Sequence, residues 1–170
     1  MDNLKEYNEK DWKPIAIKFG IIGSLASILV TIVLFFAGMQ LETWAKWLST
    51  LVMLIVLVVG IKTVRDSQND TSFSTLFKSG ILMSFIIALV SVLFFYIYVN
   101  FIDANFMHAV MEVSRQKMEA KGMTEEQIEQ AMEMSSFFIS PTFMLIMSFI
   151  STMIFGLLIS IVSSFAFKKD

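Results

Sequence analysis

Residues Pro141–Phe167, PTFMLIMSFISTMIFGLLISIVSSFAF, form a run of 27 residues without a charge. A helix needs about 20 apolar residues to cross a hydrocarbon core, so this stretch reads as a transmembrane helix, the last in the chain. A row of small residues runs through it at four-residue spacing: Ser148, Thr152, Gly156, Ser160 and Ser164. Lipid gives helices little reward for hiding leucine. Association therefore depends on close backbone approach and interhelical hydrogen bonds, and small residues mark contact faces. A four-residue step overshoots one turn by about 40°, so the row drifts across the helix and suits a right-handed crossing or two neighbours in succession. We expect this helix to be the surface on which the other spans pack. The same hydroxyls could equally line a path for a small polar solute.

Working outward, the composition agrees with a membrane protein. The 170 residues are 56% hydrophobic and 16% charged, against about 25% charge in a soluble domain. With four long apolar segments, one integral membrane domain is expected. A net charge of −2 gives no case for nucleic acid, and the lack of cysteine excludes disulfides and thiolate metal sites.

The polar tail, with Asp2, Lys5, Glu6, Glu9, Lys10, Asp11 and Lys13, leads through Trp12 and Pro14 into a first span at 15–38. Its apolar run is too long for a signal peptide, so no cleavage is expected. Gly20, Ser24, Ser27 and Thr31 fall on one face, and Lys18 lies where it can snorkel to headgroups. A short loop at 39–43 implies a tight hairpin with span two, 44–61. Only 15 residues separate Lys46 from Lys62, which is short for a span. Snorkelling lysines and the Trp44/Trp47 pair can supply the missing length; a re-entrant segment is the alternative. With Gly60 as its one small residue, span two is expected to face lipid more than its neighbours. Residues 62–74 read as turn chemistry, with Ser74 as a helix cap.

Span three, 75–102, carries Gly80, Ser84, Ala88 and Ser91 on its small face and ends in Tyr96 and Tyr98, suited to an interface belt. Lys18-Phe-Gly20-Ile21 matches Lys78-Ser-Gly80-Ile81, and seven of nineteen aligned positions are identical. Such a repeat is expected either in a plain four-helix bundle or in a transporter with parallel repeats.

Residues 103–140 interrupt the apolar pattern with seven acidic and three basic residues. Two helices are legible: about Asn105 to Lys121, ended by Gly122, and a second opened by the capping box Thr124-Glu-Glu-Gln127. The second can run on through 137–139 and stops before Pro141. The apolar faces are Met-rich, with Met107, Met111 and Met118 on one helix and Ile128 and Met132 on the other. Met suits surfaces that must adapt to a partner; mutual packing of the two faces, or contact with the bilayer, is the other reading.

Lys5, Lys10, Lys13, Lys18, Lys62, Arg65, Lys78, Lys168 and Lys169 put nine basic residues on one side; Lys46, Arg115, Lys117 and Lys121 put four on the other. The positive-inside rule then places both termini in the cytoplasm and the acidic hairpin 103–140 in the periplasm. Chemistry is sparse. His108 with Glu112 offers two metal ligands where a closed site needs about four. No Ser has a credible His/Asp set, no Gly-rich phosphate loop is present, and no carboxylate lies within a span. No catalytic residue, cofactor or metal is expected.

The chain resembles a bacterial family of four-span inner-membrane proteins, common in Bacteroidota and designated a domain of unknown function. The likeness rests on Lys18-x-Gly20 and Lys78-x-Gly80, Ser72-Phe73, Phe101-Ile102-Asp103 and Gly122-Met-Thr-Glu-Glu-Gln-Ile128. It implies no catalytic residues. Such proteins are often encoded beside membrane glycosyltransferases, which makes a role as a partner subunit an implication of the resemblance. The expectation is an all-α four-transmembrane-helix bundle with an extramembrane helical hairpin, bound to lipid and to a second copy or another membrane protein. It acts as a non-catalytic accessory subunit or, alternatively, as a small channel or transporter.

Overall fold

A computed structural model of the protein describes residues 11–168, without the Lys46 side chain. The charges at Asp2, Lys5, Glu6, Glu9, Lys10 and Lys169 lie outside the described residues. The helices are α1 (Lys13–Phe36), α2 (Thr43–Ser67), α3 (Phe73–Ile97), α4 (Phe106–Ala120), α5 (Glu125–Ser135) and α6 (Pro141–Phe167), and α3 continues into a π-helical turn at Tyr98–Ile102. The described residues contain no strand. α1, α2, α3 with its π turn, and α6 are each long and apolar enough to cross a bilayer, so the protein is an all-α membrane protein with four spans.

Local chemistry explains the helix ends. Asp11 Oδ1 accepts from the Lys13 amide at the start of α1, which holds Pro in its first turn, where a missing N–H costs nothing. Gly38 (φ 67°) and Gly122 (φ 76°) end α1 and α4 in left-handed backbone. Each donates to the carbonyl three residues back, and the next amide reaches back five, from Met39 to Leu34 and from Met123 to Met118. This double closure favours glycine.

Two boundaries differ from expectation. α2 does not stop at Ile61 but runs to Ser67, which makes it long and apolar enough to cross a bilayer. Lys62, Arg65 and Asp66 end the apolar run without ending the helix, because charged residues continue a helix readily once it reaches headgroup depth. The cap of α3 is Ser72 rather than Ser74: its hydroxyl accepts from the Thr75 amide at 3.4 Å, and the helix begins at Phe73.

The chain divides into two compact units, one formed by residues up to Ala88 together with those from Thr152, the other by Leu89–Ser151. The core of the first unit is Ala16, Met53, Leu57, Ile61, Val64, Leu76, Met83 and Ile87. Four of these lie on α2, and that helix is as buried as α3: 28% of its most apolar window, against 22% for α1 and 11% for α6. This overturns the expectation that α2 faces lipid more than its neighbours. The cause is geometrical, since a small residue is a hole and a hole needs a knob. A Cβ added at Gly60 would meet Met83 Sδ at 2.7 Å, one at Gly80 would meet Ile61 Cδ1 at 2.9 Å, and one at Gly156 would meet Met53 Cε at 3.1 Å.

Glycine and serine also bring α3 and α6 close together in this unit. A Cβ at Gly80 would stand 2.7 Å from Ser160 Cβ, and one at Gly156 would collide with Ser84. The two pairs run in opposite order along the helices, so α3 and α6 are antiparallel here. Gly156→Ala should lower stability in detergent by about 1–3 kcal/mol, the usual cost of overpacking, with most of the loss recovered in the Gly156→Ala/Ser84→Gly double variant. Thermal unfolding checks this, with Leu158→Ala as the exposed control. A Gly156→Ala protein as stable as the parent means that the helices do not meet at this point.

Candidate functional site

The thirteen residues expected to pack helices divide between two environments. Gly20 and Ser24 on α1, Gly80, Ser84 and Ala88 on α3, and Gly156, Ser160 and Ser164 on α6 are buried; Ser27, Thr31, Ser91, Ser148 and Thr152 are half-buried. Gly80 meets Ser160 and Ser84 meets Gly156, whereas Gly20 meets Ile86 of α3. The matched Lys-x-Gly segments are therefore not packed equivalently. Gly23, Ser79 and Ser163 are also buried; they lie beside the rows, one residue off the periodicity used to find them.

Where the hydroxyls point limits the chemistry. Ser24 donates to Gly20 O at 2.8 Å, Ser84 to Gly80 O at 2.8 Å and Ser160 to Gly156 O at 2.6 Å. Thr31 likewise donates to Ser27 O at 3.0 Å. In lipid a buried hydroxyl without a partner is costly, and the carbonyl one turn back is the nearest acceptor. These groups are satisfied within their own helices. Ser164 Oγ is buried and makes no hydrogen bond; we find no physical account of it.

The second unit contains the hairpin. Thr124 and Gln127 form the expected capping box, with Thr124 N to Gln127 Oε1 at 2.9 Å and Gln127 N to Thr124 Oγ1 at 3.4 Å. Arg115 bonds Glu119 at 3.1 Å within α4 and ion-pairs with Glu125 across to α5. The Glu119 hydrogen bond, then the charge of Glu125, raises the guanidinium pKa above its ordinary value, so Arg115 stays charged. Of the expected partner surface, Ile128 is 3% exposed and so is already covered within the chain. Met107, Met118 and Met132 are half-buried and Met111 is exposed. The second helix stops at Ser135, and 136–140 is a turn. His108 and Glu112 are exposed, and no three His, Asp or Glu among the described residues come together to hold a metal.

Two polar features escape the hydropathy pattern. Tyr98, expected at an interface belt, is 2% exposed and donates to Asp103 Oδ2 at 3.1 Å; Tyr96 is the exposed one. The π turn rotates Tyr98 inward, against Phe94 and Phe106. In the other unit, Asp70 accepts from Thr75 Oγ1 at 2.6 Å, Ser72 N at 2.8 Å and Ser72 Oγ at 3.2 Å. It lines a polar pocket of about 290 Å³ with Asp11, Lys13, Gln68 and Asn69. A signal was available, since Asp two residues before a capping Ser is Asx-turn chemistry.

Residues 18–169 match the model of a family described as protein of unknown function (DUF4199). The chain belongs to this family. The DUF4199 match reaches into all four spans and covers the hairpin, and its description assigns no activity. No curated protein and no solved structure matches the chain.

The hydrogen bonds to Asp70, that from Thr75 foremost, hold its carboxyl below the usual value of 3.8. A depressed folded-state pKa contributes stability above the unfolded pKa, and that contribution is lost as pH falls through the folded one. The difference in stability between the parent and Asp70→Asn should therefore be constant near neutrality and shrink below about pH 4. Unfolding of both proteins across that range measures it.

Proposed function

We propose that this DUF4199 protein is a non-catalytic subunit of the bacterial inner membrane that associates with another membrane protein, or with its own copies, through the Met-rich hairpin. One observation carries the reading. α4 has an apolar face of Met107, Val110, Met111 and Met118, yet none of its residues is fully buried. An amphipathic helix normally buries that face, and side chains that stay partly open are available for a partner. The small-residue rows serve another purpose, because their glycines are filled by neighbours within the chain. The distribution of Lys and Arg supports cytoplasmic termini and a periplasmic hairpin.

A solute path between α3 and α6 has less support. There is no room for a Cβ at Gly80 or Gly156, and the serines beside them direct their hydroxyls to their own backbone.

A photoreactive benzoyl-phenylalanine at Met111 tests the proposal in intact cells. The expected product is an adduct heavier than the monomer, absent when the same group replaces Glu129 on the acidic face. A protein that stays uncrosslinked at Met111 and purifies as a lone monomer overturns it.

A further inference from the structure

At the junction of α5 and α6, Met134, Phe137 and Phe138 are 78%, 66% and 59% exposed. Met134 lies in the last turn of α5, and Phe137 and Phe138 lie on the turn that follows it. Phe137 and Phe138 pack edge to face at 5.6 Å, and both reach Phe143 in the first turn of α6, at 5.3 and 5.1 Å. Ser140 fixes the turn: its hydroxyl donates to Phe137 O at 2.7 Å and accepts from the Phe143 amide at 3.4 Å. The rings are thus tied to the first turn of a membrane span.

That attachment sets their depth. Phe143 is the third residue of α6, about 3 Å along the axis from its start. The interfacial layer on each side of a bilayer is roughly 5–7 Å thick. Rings in contact with Phe143 therefore stand at the level of the headgroups and outermost acyl carbons. Charge agrees, because the uncharged stretch opens at Met134, seven residues before the helix, and lasts to Phe167. The acidic residues of α5, Glu125, Glu126, Glu129 and Glu133, all precede it. Aromatic side chains are the usual anchors at this depth.

We infer that Met134, Phe137 and Phe138 form a foot that inserts into the bilayer interface beside α6 and pins the end of the hairpin to the membrane surface. The ligand is the bilayer itself, through acyl-chain and headgroup contact, and the inference does not depend on any protein partner.

The absence of cysteine makes nitroxide scanning direct. Met134→Cys and Phe138→Cys, each spin-labelled, are reconstituted into phosphatidylethanolamine/phosphatidylglycerol vesicles, with Glu129→Cys and Leu158→Cys as aqueous and lipid references. The ratio of oxygen to nickel-chelate collision rates should rise several-fold at 134 and 138 over 129, towards the value at 158. A ratio at 134 and 138 equal to that at 129 places the foot in water and overturns the inference. Low accessibility to both reagents means that protein covers the foot, either this chain or a second copy, and overturns it equally.

Discussion

Two serine–glycine pairs set how closely α3 and α6 can lie, and α2 packs into the same contact. A bilayer offers no aqueous penalty to drive these helices together, so the gain must come from contacts that are impossible at ordinary separation. Gly80 and Gly156 remove the side chains that would hold the helices apart, and Ser160 and Ser84 fill the space. Ile61 and Met53 of α2 reach the same two glycines, which ties the second span into the contact and gives it its share of the core.

This arrangement separates the protein's two polar economies. Within the spans, the hydroxyls of Ser24, Thr31, Ser84 and Ser160 turn back on their own helices. Outside them, polar groups link different segments: Asp70 clamps the α2–α3 connection to the start of α3, and Arg115 clasps α4 to α5. Between the two regimes lie Tyr98 and Asp103, a buried phenol and a carboxylate joined across a π turn at the end of a span. Such turns are rare, and this one opens on a buried aromatic that hydropathy alone would send to the surface.

How much of this could be read beforehand depends on the kind of signal. α6 was legible to the residue, because Pro141 opens it and Lys168 follows it. The hairpin was legible through Thr124, Gln127 and Gly122, whose roles are local. α2 was misread twice for one reason: hydropathy detects where apolar residues stop, at Lys62, but not where backbone hydrogen bonding stops, at Ser67. Small residues can be counted on a sequence, whereas the Met and Ile that fill their gaps look like any lipid-facing residue. That is why α2 gave no sign of its burial. The foot at 137–138 was hidden by reading those residues as a continuation of α5. Function was the least legible, since neither a reactive constellation nor the family description supplies a chemistry.

The self-contained hydroxyls of Ser24, Ser84 and Ser160 bear on how the chain is made. During synthesis α3 emerges before α4 and α5, and its Gly80–Ser84 face must wait in the bilayer until α6 arrives. A serine that needed a neighbour's carbonyl would spend that interval exposed to hydrocarbon with its proton unshared. Because Ser84 already holds Gly80 O, α3 enters the membrane with that hydroxyl satisfied, and its insertion need not wait for α6. Biogenesis can then proceed helix by helix, leaving tight docking to a later lateral step.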